Sequence, residues 1–283
     1  MIARRASRIL LVAMALLVLT GCRREHESIF ATAPSVPTPT PLSSFVNGLL
    51  AFPQALVGGG AVTFTVTTTT PAPPGGLRVD LAASSSAVTI PASVTVPAGS
   101  VTVQFSGATA AVSSDVDVVV SATGAGATNR ASVAVYSAKT PSLVWAMEPD
   151  PQLRLAGLSG QSAAPGVQFS GSCIGNGVRL MLSDGWSLIF GPGAGKVLEP
   201  GTYENASFSS RPGSPLLDVS RPGFPCSVAG RFVVHDVAVS KDNRTVRRLW
   251  ATVDGTCPSG ASPRVALQIR YSDGSPDVSG ACR

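Results

Sequence analysis

Along residues 46–137 apolar and polar side chains alternate. Val62, Phe64 and Val66 interleave with Thr63, Thr65 and Thr67, and Leu77, Val79 and Leu81 interleave with Arg78 and Asp80. Successive strand side chains point to opposite faces, so a period of two predicts half-buried strands. The pattern resumes at Val94 and Val96, then at Val101, Val103 and Phe105, which it turns to one face. It returns at Val116, Val118 and Val120 and again at Val133 and Val135. Turn signals separate these runs: a Pro-Ala-Pro-Pro-Gly-Gly connector at 71–76, Pro97-Ala98-Gly99, and a loop over 124–129. Roughly seven or eight short strands so spaced predict a β-sandwich.

Residues 153–283 read as strand and turn again. Asn176-Gly177 predicts a two-residue hairpin turn, since both of its positions favour positive φ. Ser183-Asp184-Gly185 turns the chain into an apolar run from Trp186 to Phe190. A Gly/Pro-rich passage over 191–225 holds short extended pieces around Tyr203 and residues 216–219. Residues 231–239 and 246–254 flank a turn at Lys241-Asp242-Asn243-Arg244, and Val265, Leu267, Ile269 and Tyr271 alternate in a last strand. No window beyond the N-terminal segment carries a 3.6-residue period, so the expected fold class is all-β: two β-sandwich domains in tandem. Residues 138–152 read as a linker, because Pro141, Pro149 and Pro151 limit any strand. Trp145 within it is expected to pack at the junction or to begin the second domain.

The N-terminus changes the picture of where this chain resides. Arg4, Arg5 and Arg8 precede an apolar run of 12 residues, Ile9 to Thr20, too short for the roughly 20 residues of a membrane span. The run closes on Leu19-Thr20-Gly21-Cys22, which resembles a bacterial lipobox. That resemblance implies a signal peptide over 1–21, cleavage before Cys22, and acylation of Cys22. Acyl chains bury about 0.8 kcal/mol per CH2, enough for two or three of them to anchor a protein without a transmembrane segment. Residues 22–45 carry Pro34, Pro37, Pro39 and Pro41 and read as an extended tether. Arg23, rather than Asp, after the cysteine fits export to the outer membrane, facing the periplasm or the surface.

Local sequence carries two further resemblances. The stretch Ile90-Pro-Ala-Ser-Val-Thr-Val-Pro-Ala-Gly-Ser100, with Val-Thr-Val-Gln-Phe after it, makes residues 46–137 resemble bacterial immunoglobulin-like surface modules. The likeness implies a spacer or adhesion module with no catalytic residues. Leu198-Glu-Pro-Gly-Thr-Tyr-Glu-Asn-Ala206, Leu217-Asp-Val219, Gly230-Arg-Phe-Val-Val234 and Ile269-Arg-Tyr271, with Cys226 and Cys257, resemble an exported bacterial β-domain of unknown function, over 167–272. The chain departs from that family's pattern at Pro225-Cys226-Ser227 and Thr256-Cys257, where Gly-Cys-Asn and a histidine before the second cysteine are expected. A function that needs this histidine does not carry over.

Composition and charge narrow the chemistry. Charged residues make up 13% of the 283, about half the usual share. The formal charge falls from +5 to +2 once Arg4, Arg5 and Arg8 leave with the signal, and no later basic run is longer than Arg247-Arg248. That is no footprint for nucleic acid. Of five cysteines, Cys173, Cys226, Cys257 and Cys282 remain beside Cys22. In an exported domain four cysteines without neighbouring histidines read as two disulfides, not as a metal site. Cys226 and Cys257 are nearly equidistant from the turn at Lys241-Asp242, which in a hairpin sets them opposite each other. They are therefore expected to pair, leaving Cys173 for Cys282.

No constellation for catalysis stands out. His235 is the one histidine of the folded part, and in a regular strand its neighbour Asp236 points the other way. Neither a Gly-x-Ser-x-Gly elbow nor a His-Glu-x-x-His motif is present. Asp115 and Asp117 share a strand face but lack the further oxygens that calcium needs, so they read as solvated. Trp186 shares its face with Leu188 and Phe190 and reads as core, whereas Trp250, beside Arg248 and Thr252, and Tyr203 are the candidate ligand surface. The expectation is a lipid-anchored envelope protein acting as a non-catalytic adhesion, scaffold or binding module. Its partners are the membrane and a glycan or envelope protein, and it uses no cofactor. The rivals are a carbohydrate-binding accessory protein and a β-sandwich hydrolase.

Overall fold

The computed structural model describes residues 44–149, 158–208, 212–224, 226–258, 263–275 and 281–283. The expected signal segment, Cys22, the proline-rich tether up to residue 43, and Pro151 lie outside the described residues. Among the described residues the chain forms nineteen strands and no helix.

The first nine strands are β1 (Val46–Phe52), β2 (Ala55–Val57), β3 (Ala61–Thr68), β4 (Leu77–Ala83), β5 (Val88–Thr89), β6 (Ser93–Val96), β7 (Thr102–Thr109), β8 (Val116–Gly124) and β9 (Ala127–Tyr136). They build two sheets, in the orders β1-β3-β7-β5 and β2-β9-β8-β4-β6. The pairs are antiparallel except β2 with β9. Val62, Phe64 and Val66 from one sheet meet Val79, Val118, Val120, Val133 and Val135 from the other in a single core. Each such side chain removed from water contributes about 1.5–3 kcal/mol, and Phe64 adds a stacked contact with Phe105 at 5.0 Å.

Two local details differ from the sequence reading. The expected loop at 124–129 is a two-residue turn, Ala125-Gly126, with φ of 49° and 81°. Val101 keeps the parity of Val103 and Phe105 but precedes β7 and stands 44% exposed.

The remaining strands are β10 (Ser142–Met147), β11 (Leu158–Ala163), β12 (Phe169–Ile174), β13 (Gly177–Leu182), β14 (Ser187–Gly191), β15 (Gly201–Ala206), β16 (Leu216–Ser220), β17 (Ala229–Val239), β18 (Val246–Thr256) and β19 (Arg264–Ser272). A six-stranded sheet runs β11-β10-β19-β18-β17-β15 and a four-stranded one runs β12-β13-β14-β16. Between them lies a second core that includes Trp186, Leu188, Phe190, Phe232, Val253, Leu267 and Ile269.

Strand β10 falls inside the stretch read as a linker. Leu143 and Met147 enter the second core, while Val144 and Ala146 pack with Phe52, Ala55 and Val57 of the first half. Apolar contact on both faces, together with pairing to β19 and β11, overrides the proline signal at its ends. The backbone N–H of Val57 also donates to Gln268 Oε1 at 2.6 Å. The β12–β13 turn sits at Gly175-Asn176, one residue before the expected Asn176-Gly177. Gly175 takes the positive φ of 54° at the first turn position, as a type II′ turn requires. Gly177 is a strand residue instead, where a Cβ would stand 2.4 Å from the carbonyl oxygen of Phe190.

Cys173 faces Cys282 and Cys226 faces Cys257 at disulfide geometry, with Cα–Cα distances of 5.4 and 5.5 Å. The second bridge does not sit at a paired site of the hairpin ladder. It lies just beyond the last pair, Ala229 with Thr256; the two β17–β18 register shifts cancel, and the continued ladder would set Val228 rather than Cys226 opposite Cys257.

Candidate functional site

The outer face of the six-stranded sheet carries the most chemistry among the described residues. Its inner positions on β18 and β19, such as Ala251, Val253, Leu267 and Ile269, are consumed by the core, so period two leaves Trp250, Thr252, Gln268 and Arg270 facing outward. Near β10 that face is covered by the first half of the chain, through Val144, Ala146, Ala266 and Gln268. Two strands further on it is open, and Trp250 is 41% exposed there.

Register places Asp236, Trp250 and Arg270 in one row across β17, β18 and β19. His235 is the extra residue of a β-bulge, since Val234 pairs with Ala251 and the next pair is Asp236 with Trp250. The bulge breaks the simple alternation on which the sequence reading of His235 and Asp236 rests. Both now reach partners on the same outer face. His235 stacks on the indole at 4.5 Å between centroids, with Nε2 3.2 Å from Thr252 Oγ1. Asp236 accepts from Arg248 Nε at 2.9 Å. From the other neighbouring strand Arg270 sets its guanidinium 4.7 Å from the centre of the Trp250 ring. The indole is therefore flanked from β17 and from β19.

Beside Trp250 a groove of about 150 Å³ is lined by Thr140, Asp236, Arg248, Trp250, Arg270 and Ser272, among others. Its charges are two guanidiniums and one carboxylate, and the carboxylate is spent on Arg248. The hydroxyl–imidazole contact between Thr252 and His235 is short enough for a base to activate a nucleophile. The carboxylate that would orient the ring is held by Arg248, so the pair lacks its third member.

The other candidates fall elsewhere. Tyr203 pairs with Phe232 and stacks on it at 4.6 Å, turned toward the core and away from the face that bears Trp250. Its hydroxyl donates to the carbonyl oxygen of Glu199 at 2.8 Å and accepts from the Glu199 N–H at 3.0 Å. Tyr203 thus leaves the candidate ligand surface, because its alternation runs with Phe232 rather than with the outer residues. Trp186 is buried between Trp145 and Phe224, at 5.5 and 5.2 Å. Asp115 is tied down by the Ser137 N–H at 2.9 Å, the Ser137 hydroxyl at 2.7 Å and the Lys139 ammonium. Among the described residues no group of three or more His, Cys, Asp or Glu is placed to hold a metal ion.

A larger cleft, about 300 Å³, lies between β1, β3 and the start of β19, with Leu50, Phe52, Thr63, Thr65, Glu148 and Arg264 on its walls. Its charged groups already have partners. Arg264 covers the Phe52 ring at 4.6 Å and lies 3.6 Å from Asp254, and Glu148 accepts from the Arg264 N–H at 3.1 Å. Sequence reasoning did not find His235 and Arg270 as companions of Trp250. For Arg270 the signal was available, as the polar residue between Ile269 and Tyr271 on an alternating strand. For His235 it was not, since a bulge leaves no mark in composition.

Compared with protein-family models, curated proteins and solved structures, the chain matches none of them.

Proposed function

We propose that this chain is a lipid-anchored protein of the bacterial cell envelope, tethered through Cys22, that binds a partner non-catalytically through the outer face around Trp250. The observation that carries the reading is an exposed indole set between His235 and Arg270 on a sheet whose adjoining surface is already covered. An exposed tryptophan ordered by its neighbours offers large contact area at little cost in side-chain entropy, which is why such residues dominate binding surfaces. The immunoglobulin-like likeness of residues 46–137 supports a spacer that carries this face away from the membrane.

The carbohydrate-binding reading is favoured by the same indole. The indole and the hydroxyls and guanidiniums around it suit a sugar better than they suit a flat protein surface. A glycan array probed with the full chain and with Trp250→Ala tests it. Binding to a defined set of glycans that is lost in the variant supports the reading, and binding that survives the substitution contradicts it.

A further inference from the structure

We infer that the groove beside Trp250 takes a carboxylate-bearing sugar, with Arg270 as the residue that receives the carboxylate. The inference rests on the binding role proposed for this face and names its ligand class. Two arginines line the groove and their states differ. Arg248 has its fork occupied by Asp236, through Nε at 2.9 Å and Nη2 at 3.5 Å. Arg270 has no carboxylate partner among the described residues, and its guanidinium rests on the indole ring.

Among the described residues no hydrogen bond or ion pair engages the Arg270 guanidinium, so its N–H groups are free to donate. The Trp250 contact therefore holds Arg270 in place while leaving its fork open. A planar fork of this kind matches a carboxylate bidentately, and loss of such a charge-assisted pair is felt strongly. The rest of the groove suits the ring that would bear the carboxylate. Thr140 and Ser272 supply hydroxyls, and the indole supplies an apolar wall. Asp236, the one carboxylate on the wall, is neutralised by Arg248 and does not repel the ligand. The opening is of monosaccharide dimension, at about 150 Å³, so a single acidic residue of a chain would enter and its neighbours would extend over the sheet.

Calorimetric titration of the full chain with trigalacturonate, maltotriose and inorganic phosphate tests this. Trigalacturonate is expected to bind, and both other probes to bind at least about tenfold more weakly. Arg270→Gln should weaken trigalacturonate by about tenfold or more, and Arg270→Lys, which keeps the charge but not the fork, by less. Circular dichroism matching the parent confirms that each variant folds. Equal binding of phosphate, or trigalacturonate binding unchanged in Arg270→Gln, would overturn the inference, as would no binding of trigalacturonate. Maltotriose binding that needs Trp250 but not Arg270 overturns the acidic ligand while leaving the binding face itself standing.

Discussion

Asp115 shows how one side chain ties the start of β8 to the residues just past β9. Burial would raise its carboxyl, but the Lys139 ammonium and the Ser137 N–H and hydroxyl together hold it below the usual carboxylate range. With the folded value depressed, the stabilisation is fully present above the unfolded value of about 3.9 and disappears as pH falls through the folded one. The melting temperature of Asp115→Asn should therefore lie below that of the parent at pH 7 and approach it below about pH 4. A gap that persists unchanged at low pH would contradict this. The sequence showed Asp115 beside Asp117 as solvated carboxylates; its partners come from residues 22 and 24 positions later, a return that no local pattern displays. Trp250 was legible because Arg248 and Thr252 share its parity, and Tyr203 was misread because β15 offers too few apolar neighbours to show which face is inward.

Most strands were legible wherever one face is buried and the other wet. Val62 to Val66 and Val265 to Tyr271 alternate in sequence and alternate in burial. Strand β10 was not, because Ser-Leu-Val-Trp-Ala-Met is covered on both faces and so has no period of two to read. The bulge at His235 is hidden for the opposite reason, being a single unpaired residue in a long hairpin whose flanking stretches alternate. That hairpin and the two bridges of its domain make a prediction at this scale. The Cys226–Cys257 link closes a separation of 31 residues and the Cys173–Cys282 link one of 109, for about 3–4 and about 4.7 kcal/mol in the chain-entropy model. Reductant should lower the melting transition of the full chain, whereas a fragment of residues 46–137, which has no cysteine, should fold and melt identically with and without it. A reductant-sensitive transition in the fragment would contradict the assignment of its stability to its own core.

At the scale of the whole chain, the two halves divide one sheet face between them. Phe52, Ala55 and Val57 cover Val144 and Ala146 near β10, and the Gln268 side chain accepts the Val57 N–H, so the outer face of the six-stranded sheet is closed on that side. The open remainder is the row of Asp236, Trp250 and Arg270, and the account stands on that row being where a ligand arrives. The chain has three tryptophans, of which Trp145 and Trp186 pack against each other and Trp250 is the one with its ring most open to solvent. The indole N–H resonances in a nitrogen-15 correlation spectrum therefore report on buried and exposed sites separately. On titration with trigalacturonate the Trp250 indole signal, assigned by its loss in Trp250→Phe, should shift progressively while those of Trp145 and Trp186 stay in place. Binding of trigalacturonate that leaves the Trp250 signal unmoved, or shifts confined to the two other indoles, would contradict the central claim.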